Sequence, residues 1–121
     1  MTEEQKLEYL KEQGIDAALG MRYADDSLAF YLELIDVFLG EYETKRAALQ
    51  KEAEKETKNY TVLVHGLKNN AGSLGALELS KVAREHEVFS REGEWKYVKE
   101  NLPILLEKWD RTAQIFQKLN G

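Results

Sequence analysis

The stretch Tyr60–Leu74, YTVLVHGLKNNAGSL, decides how the chain folds. Its apolar members Tyr60, Leu63, Val64, Leu67, Ala71 and Leu74 fall within about 40° of one direction on a helical wheel, which marks a helix with one face in a core. His65 lies about 140° from that direction, so its imidazole is expected to face water. Lys68 and Asn69 follow one turn later and Gly72 two turns later on the same side.

Spacings of three and four recur along most of the chain, and no β-branched run bounded by turn signals appears, so the fold class is expected to be all-α. A short helix is expected near Glu3 to Lys11, ending around Gly14, and IDAALGMRY reads as a brief helix capped by Asp16. From Asp26, Phe30, Leu34, Phe38 and Tyr42 make a stripe, with Tyr31 and Ile35 alongside, and the helix reaches about Glu56 with a bend near Gly40. Asn59 is expected to cap the helix that carries the opening stretch, and Gly75 to release its end. The next helix spans roughly Ala76 to Arg91 and stops at Gly93. The last begins near Glu94 and buries Trp95, Val98, Leu102, Leu106, Trp109, Ala113 and Phe116. Pro103 within it predicts a kink, or a restart capped by Asn101. Four long amphipathic helices with short connections bury their stripes against one another, so an antiparallel four-helix bundle with short additional N-terminal helices is expected, formed as a single domain by residues 1–121.

Composition narrows the function. The 121 residues carry a formal net charge of −5 and no cysteine, which argues against general affinity for nucleic acid or anionic lipid and removes disulfides and thiolate metal ligation. The charged start MTEEQKLEYLKEQG lacks the apolar stretch of a signal peptide, and no later segment has the length of an uncharged membrane span, so the expected location is cytoplasmic. The initiating methionine and the end just after the last helix favour a free-standing chain. Neither histidine has a carboxylate or second histidine in a helical ligand spacing such as Glu-x-x-His, so no metal site is expected.

The two histidines differ in position. His86 shares a face with Leu79, Val82, Ala83 and Phe89, so it is expected in the core with a hydrogen bond to satisfy it. His65 stands beside Gly66 and Gly72, and an interior helical glycine costs about 1 kcal/mol relative to alanine, so each calls for an offsetting role. Gly72 is expected to let another surface approach the ring, Gly66 to serve helix packing, and Val62 to add an exposed apolar contact.

His65, Leu67, Lys68, Gly72, Ser73, Leu74, Gly75 and Ala76 resemble the signature of histidine-containing phosphotransfer (HPt) domains, a His-x-Leu-Lys-Gly motif followed by a hydrophobic-Gly pair. Further likenesses are GID at Gly14 to Asp16, the Tyr31, Leu34, Ile35, Phe38 pattern, and Leu79, Ala83 and Glu87 after the motif, over roughly residues 14 to 119. In two places the sequence departs from that pattern. Asn69 stands where glycine is common, either narrowing partner access or adding an amide at the phosphoryl group, and His86 replaces a usual core leucine.

The resemblance implies a phosphorelay intermediate without kinase activity of its own. His65 would take a phosphoryl group from a receiver-domain aspartate and pass it to another receiver. Its partners would be response-regulator receiver domains and a hybrid sensor kinase. The chain itself would bind no cofactor, the magnesium ion being held by the receiver. Lys68 would place its ammonium near the phosphoryl oxygens, and Val62, Asn69, Gly72 and Ala76 would form the partner-binding surface. Ser73 is expected to bond its own backbone. Two further readings are an HPt-like bundle that binds a receiver or kinase without being phosphorylated, and a helical metal or cofactor carrier.

Overall fold

Thr2 opens the first helix with a reciprocal cap, its hydroxyl accepting from the Gln5 backbone N–H while the Gln5 side chain accepts from its own. The computed structural model describes residues 1–120, and they are all-helical. Six α-helices run in order: α1 (Glu3–Glu12), α2 (Ala17–Tyr23), α3 (Leu28–Lys55), α4 (Lys58–Ser73), α5 (Leu77–Arg91) and α6 (Trp95–Gln117), with a 3-10 turn over Lys118–Asn120. Asp16 caps α2, its Oδ1 accepting from the Leu19 N–H at 3.0 Å, and Ser27 caps α3 in the same way at 3.1 Å.

The helix faces follow the spacing of apolar residues. Tyr31, Ile35, Phe38, Leu49 and Ala53 of α3 are buried, as are Tyr60, Val64, Leu67 and Ala71 of α4. From α5 come Leu79 and Ala83, and from α6 Val98, Leu105, Leu106, Trp109, Ala113, Ile115 and Phe116. Most of these belong to one hydrophobic cluster. The helices in contact are α4 with α5, α5 with α6, α3 with α6 and α3 with α4, while α2 packs on α3 and α4. Phe38 meets Phe116 edge to face at 5.6 Å, and Tyr42 meets Trp109 at 5.8 Å.

Three local expectations need correcting. Thr57, not Asn59, is the N-cap of α4, and its hydroxyl turns back to the Glu52 carboxylate rather than to the helix. α6 does not restart at Asn101. The helix passes through Pro103, and Asn101 is an interior residue whose side-chain amide donates to the Tyr97 carbonyl at 2.9 Å. Phe30, read as part of the α3 stripe, is 41% exposed, because Tyr31, one residue on, takes the core direction instead.

The α4–α5 turn is clamped from outside. Gly75 adopts φ +85°, and a Cβ there would lie 2.1 Å from the Asp16 carbonyl oxygen. The Asp16 N–H donates to the Gly75 carbonyl at 2.9 Å, and the buried Tyr31 hydroxyl donates to the Leu74 carbonyl at 2.7 Å. Tyr31 in turn lies against Gly20, where a Cβ would come within 2.4 Å of the ring. The short helix α2 and its cap thereby hold the turn that sets α4 against α5.

Candidate functional site

Because Val64, Leu67 and Ala71 turn inward, α4 presents His65 on its outer side, with its side chain 53% exposed. The ring is nevertheless held from below. Its Nδ1 lies 2.6 Å from Oε2 of Glu87, which reaches up from α5 with a side chain only 5% exposed. An ionised carboxylate only accepts, so Nδ1 carries the hydrogen. At Nε2 the geometry agrees, since the Asn69 amide nitrogen stands 3.1 Å away and donates to it. Both contacts select the neutral tautomer with Nδ1–H inward and the Nε2 lone pair outward.

Glu87 is the hub of this cluster. Its Oε1 accepts from the Lys68 ammonium at 2.7 Å, and its Oε2 also accepts from Arg91 Nη2 at 2.8 Å. Burial pushes the carboxyl pKa up, but hydrogen bonds from Lys68 and His65, with the Lys68 charge beside them, bring it down to about 2. The carboxylate therefore stays ionised near neutral pH and remains available to the ring.

Further bonds join the two helices. Thr61 Oγ1 and Ser90 Oγ are 2.8 Å apart, and Ser80 Oγ donates to the Lys68 carbonyl at 2.9 Å. Close approach at this seam explains Gly72. A Cβ there would meet Ser80 Oγ at 3.2 Å, so Gly72 makes room for α5, not for a visiting surface as the sequence suggested. Gly66 has the opposite setting from the packing role expected for it, because a Cβ there would meet nothing within 4 Å.

The remaining predicted site residues differ in their settings. Val62 is 65% exposed on α4, one turn before His65. Asn69 is exposed and touches the ring. Ala76 is 2% exposed at the start of α5, within the core cluster, and offers no surface to a partner. Ser73 donates to the Asn69 carbonyl at 2.8 Å, a bond to its own helix. His86 is 1% exposed, with Nδ1 2.7 Å from the Tyr60 hydroxyl, and burial holds its pKa below the ordinary histidine value.

The sequence placed Glu87 only in the family-like pattern after the motif, with no chemical role, and gave Arg91 none. The available signal was a glutamate on the same side as Leu79, Ala83 and Ser90, a charge on a stripe that otherwise faces inward. A carboxylate in that position needs a cationic or donor partner, and the facing helix supplies two.

No protein-family model matches the chain, and no curated protein matches it. Among the described residues no group of three or more histidine, aspartate or glutamate side chains is arranged to hold a metal ion. Among the described residues no helix is long and apolar enough to cross a membrane.

Proposed function

We propose that this chain is a phosphoryl carrier of the HPt type, accepting a phosphoryl group on His65 from the aspartyl phosphate of one receiver domain and passing it to the aspartate of another. In this reading α3 to α6 form the antiparallel four-helix bundle of such carriers, and the chain is a cytoplasmic signalling component. One observation carries the proposal: a half-exposed imidazole whose Nδ1–H is engaged by a buried carboxylate, leaving the Nε2 lone pair on the outer side.

The chemistry follows from that tautomer. The Nε2 lone pair forms a bond to phosphorus as the bond from phosphorus to the donor aspartate oxygen breaks, and the electron pair leaves with the carboxylate. No proton has to be removed first, because Nδ1 retains its hydrogen. The ring gains positive charge as the N–P bond forms, and Glu87 at 2.6 Å is placed to compensate it. Lys68 spends one of its three N–H donors on Glu87, and the others can serve the phosphoryl oxygens. Magnesium would arrive with the receiver.

Incubation with phosphorylated receiver domains carrying radiolabelled phosphate tests the reading. The expected result is acid-labile, base-stable label on the wild type and none on His65→Gln, with unchanged helical circular dichroism. Label retained on His65→Gln would remove His65 from the mechanism. The Asn69 amide on Nε2 favours a second reading, a bundle that binds receivers without being phosphorylated. That reading expects receiver binding with no label on the wild type.

A further inference from the structure

Asn69 lies one turn beyond His65, and its amide nitrogen stands 3.1 Å from Nε2. A side-chain amide nitrogen only donates, and Glu87 keeps the ring hydrogen on Nδ1, so the Asn69 N–H points into the lone pair that would attack phosphorus. We propose that Asn69 is a phosphoryl-retention residue, capping Nε2 while the ring is free and donating to a phosphoryl oxygen once Nε2 is bonded to phosphorus. The proposal rests on the phosphocarrier reading and adds to it a control over how long the group is held.

The exchange of acceptors is forced by valence. Once the Nε2 lone pair is in the N–P bond, that atom no longer accepts a hydrogen bond. The nearest acceptors are the phosphoryl oxygens attached to it, which are anionic and bind a donor more strongly than a neutral ring nitrogen does. Hydrolysis of the N–P bond proceeds through a loose, metaphosphate-like transition state in which charge on those oxygens falls. A donor to them therefore stabilises the loaded state more than the transition state, and the group is lost more slowly. Lys68 and Arg91 are both bonded to Glu87, and the N–H groups that Lys68 has left can add to the phosphoryl oxygens without capping Nε2. Among the described residues, Asn69 is the donor aimed at Nε2.

Asn69 is exposed, and the hydrogen bond of its side chain goes to His65, so replacing it leaves the core intact. Phosphoramidate provides a probe independent of any receiver, since its P–N bond breaks with release of ammonia as the bond to Nε2 forms. Asn69→Ala is expected to take up phosphate about three-fold faster, because the lone pair is uncapped, and to lose it about five-fold faster. Asn69→Asp, of equal size but without the donor, is expected to lose it at least as fast. The nitrogen NMR resonance of Nε2 in the unphosphorylated protein is expected to move in Asn69→Ala. Unchanged lifetimes in both variants overturn the retention role while the phosphocarrier reading stands. A wild type that neither phosphoramidate nor phosphorylated receivers can label overturns that reading and the retention role together.

Discussion

His65 Nδ1 on α4 and Glu87 Oε2 on α5 lie 2.6 Å apart, a contact between residues 22 positions apart in sequence. The buried carboxylate decides which ring nitrogen faces outward, and it is held ionised by Lys68 as well as by His65. In the phosphocarrier reading, structure and reactivity are therefore coupled at one glutamate.

Glu87→Gln should slow phosphate uptake by His65 about ten-fold, since an amide can still accept from Nδ1 but does not compensate the charge that the ring acquires. Uptake kinetics from a phosphorylated receiver, with circular dichroism as the folding control, check this. Uptake equal to the wild type would show the charge to be irrelevant.

The same residue predicts a pH dependence of stability. Its pKa is depressed from the ordinary glutamate value of 4.5 to about 2 in the folded protein, so its contribution is complete above about pH 4.5 and is lost as pH falls through about 2. The full shift corresponds to about 3 kcal/mol. Denaturant titrations between pH 5 and pH 2 should show a steeper loss for the wild type than for Glu87→Gln.

His86 acts over a different pH range. Burial lowers its folded pKa, so the unfolded chain takes up the proton first and stability falls as pH drops below the ordinary histidine value of about 6.5. Its Nδ1 meets the buried Tyr60 hydroxyl at 2.7 Å. His86→Leu alone should cost about 1–3 kcal/mol at neutral pH by stranding that hydroxyl, and adding Tyr60→Phe should recover most of the loss. Both variants should lack the decline that begins near pH 6.5. A wild-type slope surviving in the double variant would place its source elsewhere.

Lys68→Ala should lower the rate of phosphate uptake about ten-fold with the fold retained, and Lys68→Arg should restore part of it, if the side chain serves the phosphoryl oxygens as a cation. Single-turnover labelling separates the two variants. Equal loss in both would mean that the ammonium is needed for its contact with Glu87 alone.

The glycines separate three physical roles. Gly66→Ala should stabilise the protein by up to about 1 kcal/mol, because a Cβ there meets nothing within 4 Å and α4 gains a better helix former. Gly72→Ala should give no such gain, since Ser80 Oγ at 3.2 Å must yield while bonded to the Lys68 carbonyl. Gly75→Ala should be severely destabilising, combining φ +85° with a Cβ placed 2.1 Å from the Asp16 carbonyl oxygen. Thermal melts of the three variants should rank in that order.

Much of the architecture was legible in the sequence because helical periodicity is a local property. The apolar spacing around Tyr60, Val64, Leu67 and Ala71 placed α4 and turned His65 outward, and the same logic buried His86 and found the ends of α5 near Ala76 and Arg91. Caps were less legible. Thr57 and Asn59 are both suitable residue types, and the choice between them depends on where the chain leaves α3, which its own composition does not encode.

What the sequence by itself determined is the direction each side chain takes from its own helix, because 3.6 residues per turn fixes that angle whatever lies opposite. Only the tertiary structure decided what each side chain meets: Glu87 under His65, Ser80 against Gly72, open space beside Gly66, and Ala76 enclosed at a turn. Those pairings depend on the register and spacing of α4 against α5. Contacts made along the whole seam, and the clamp of Asp16 and Tyr31 on the turn between the two helices, set both.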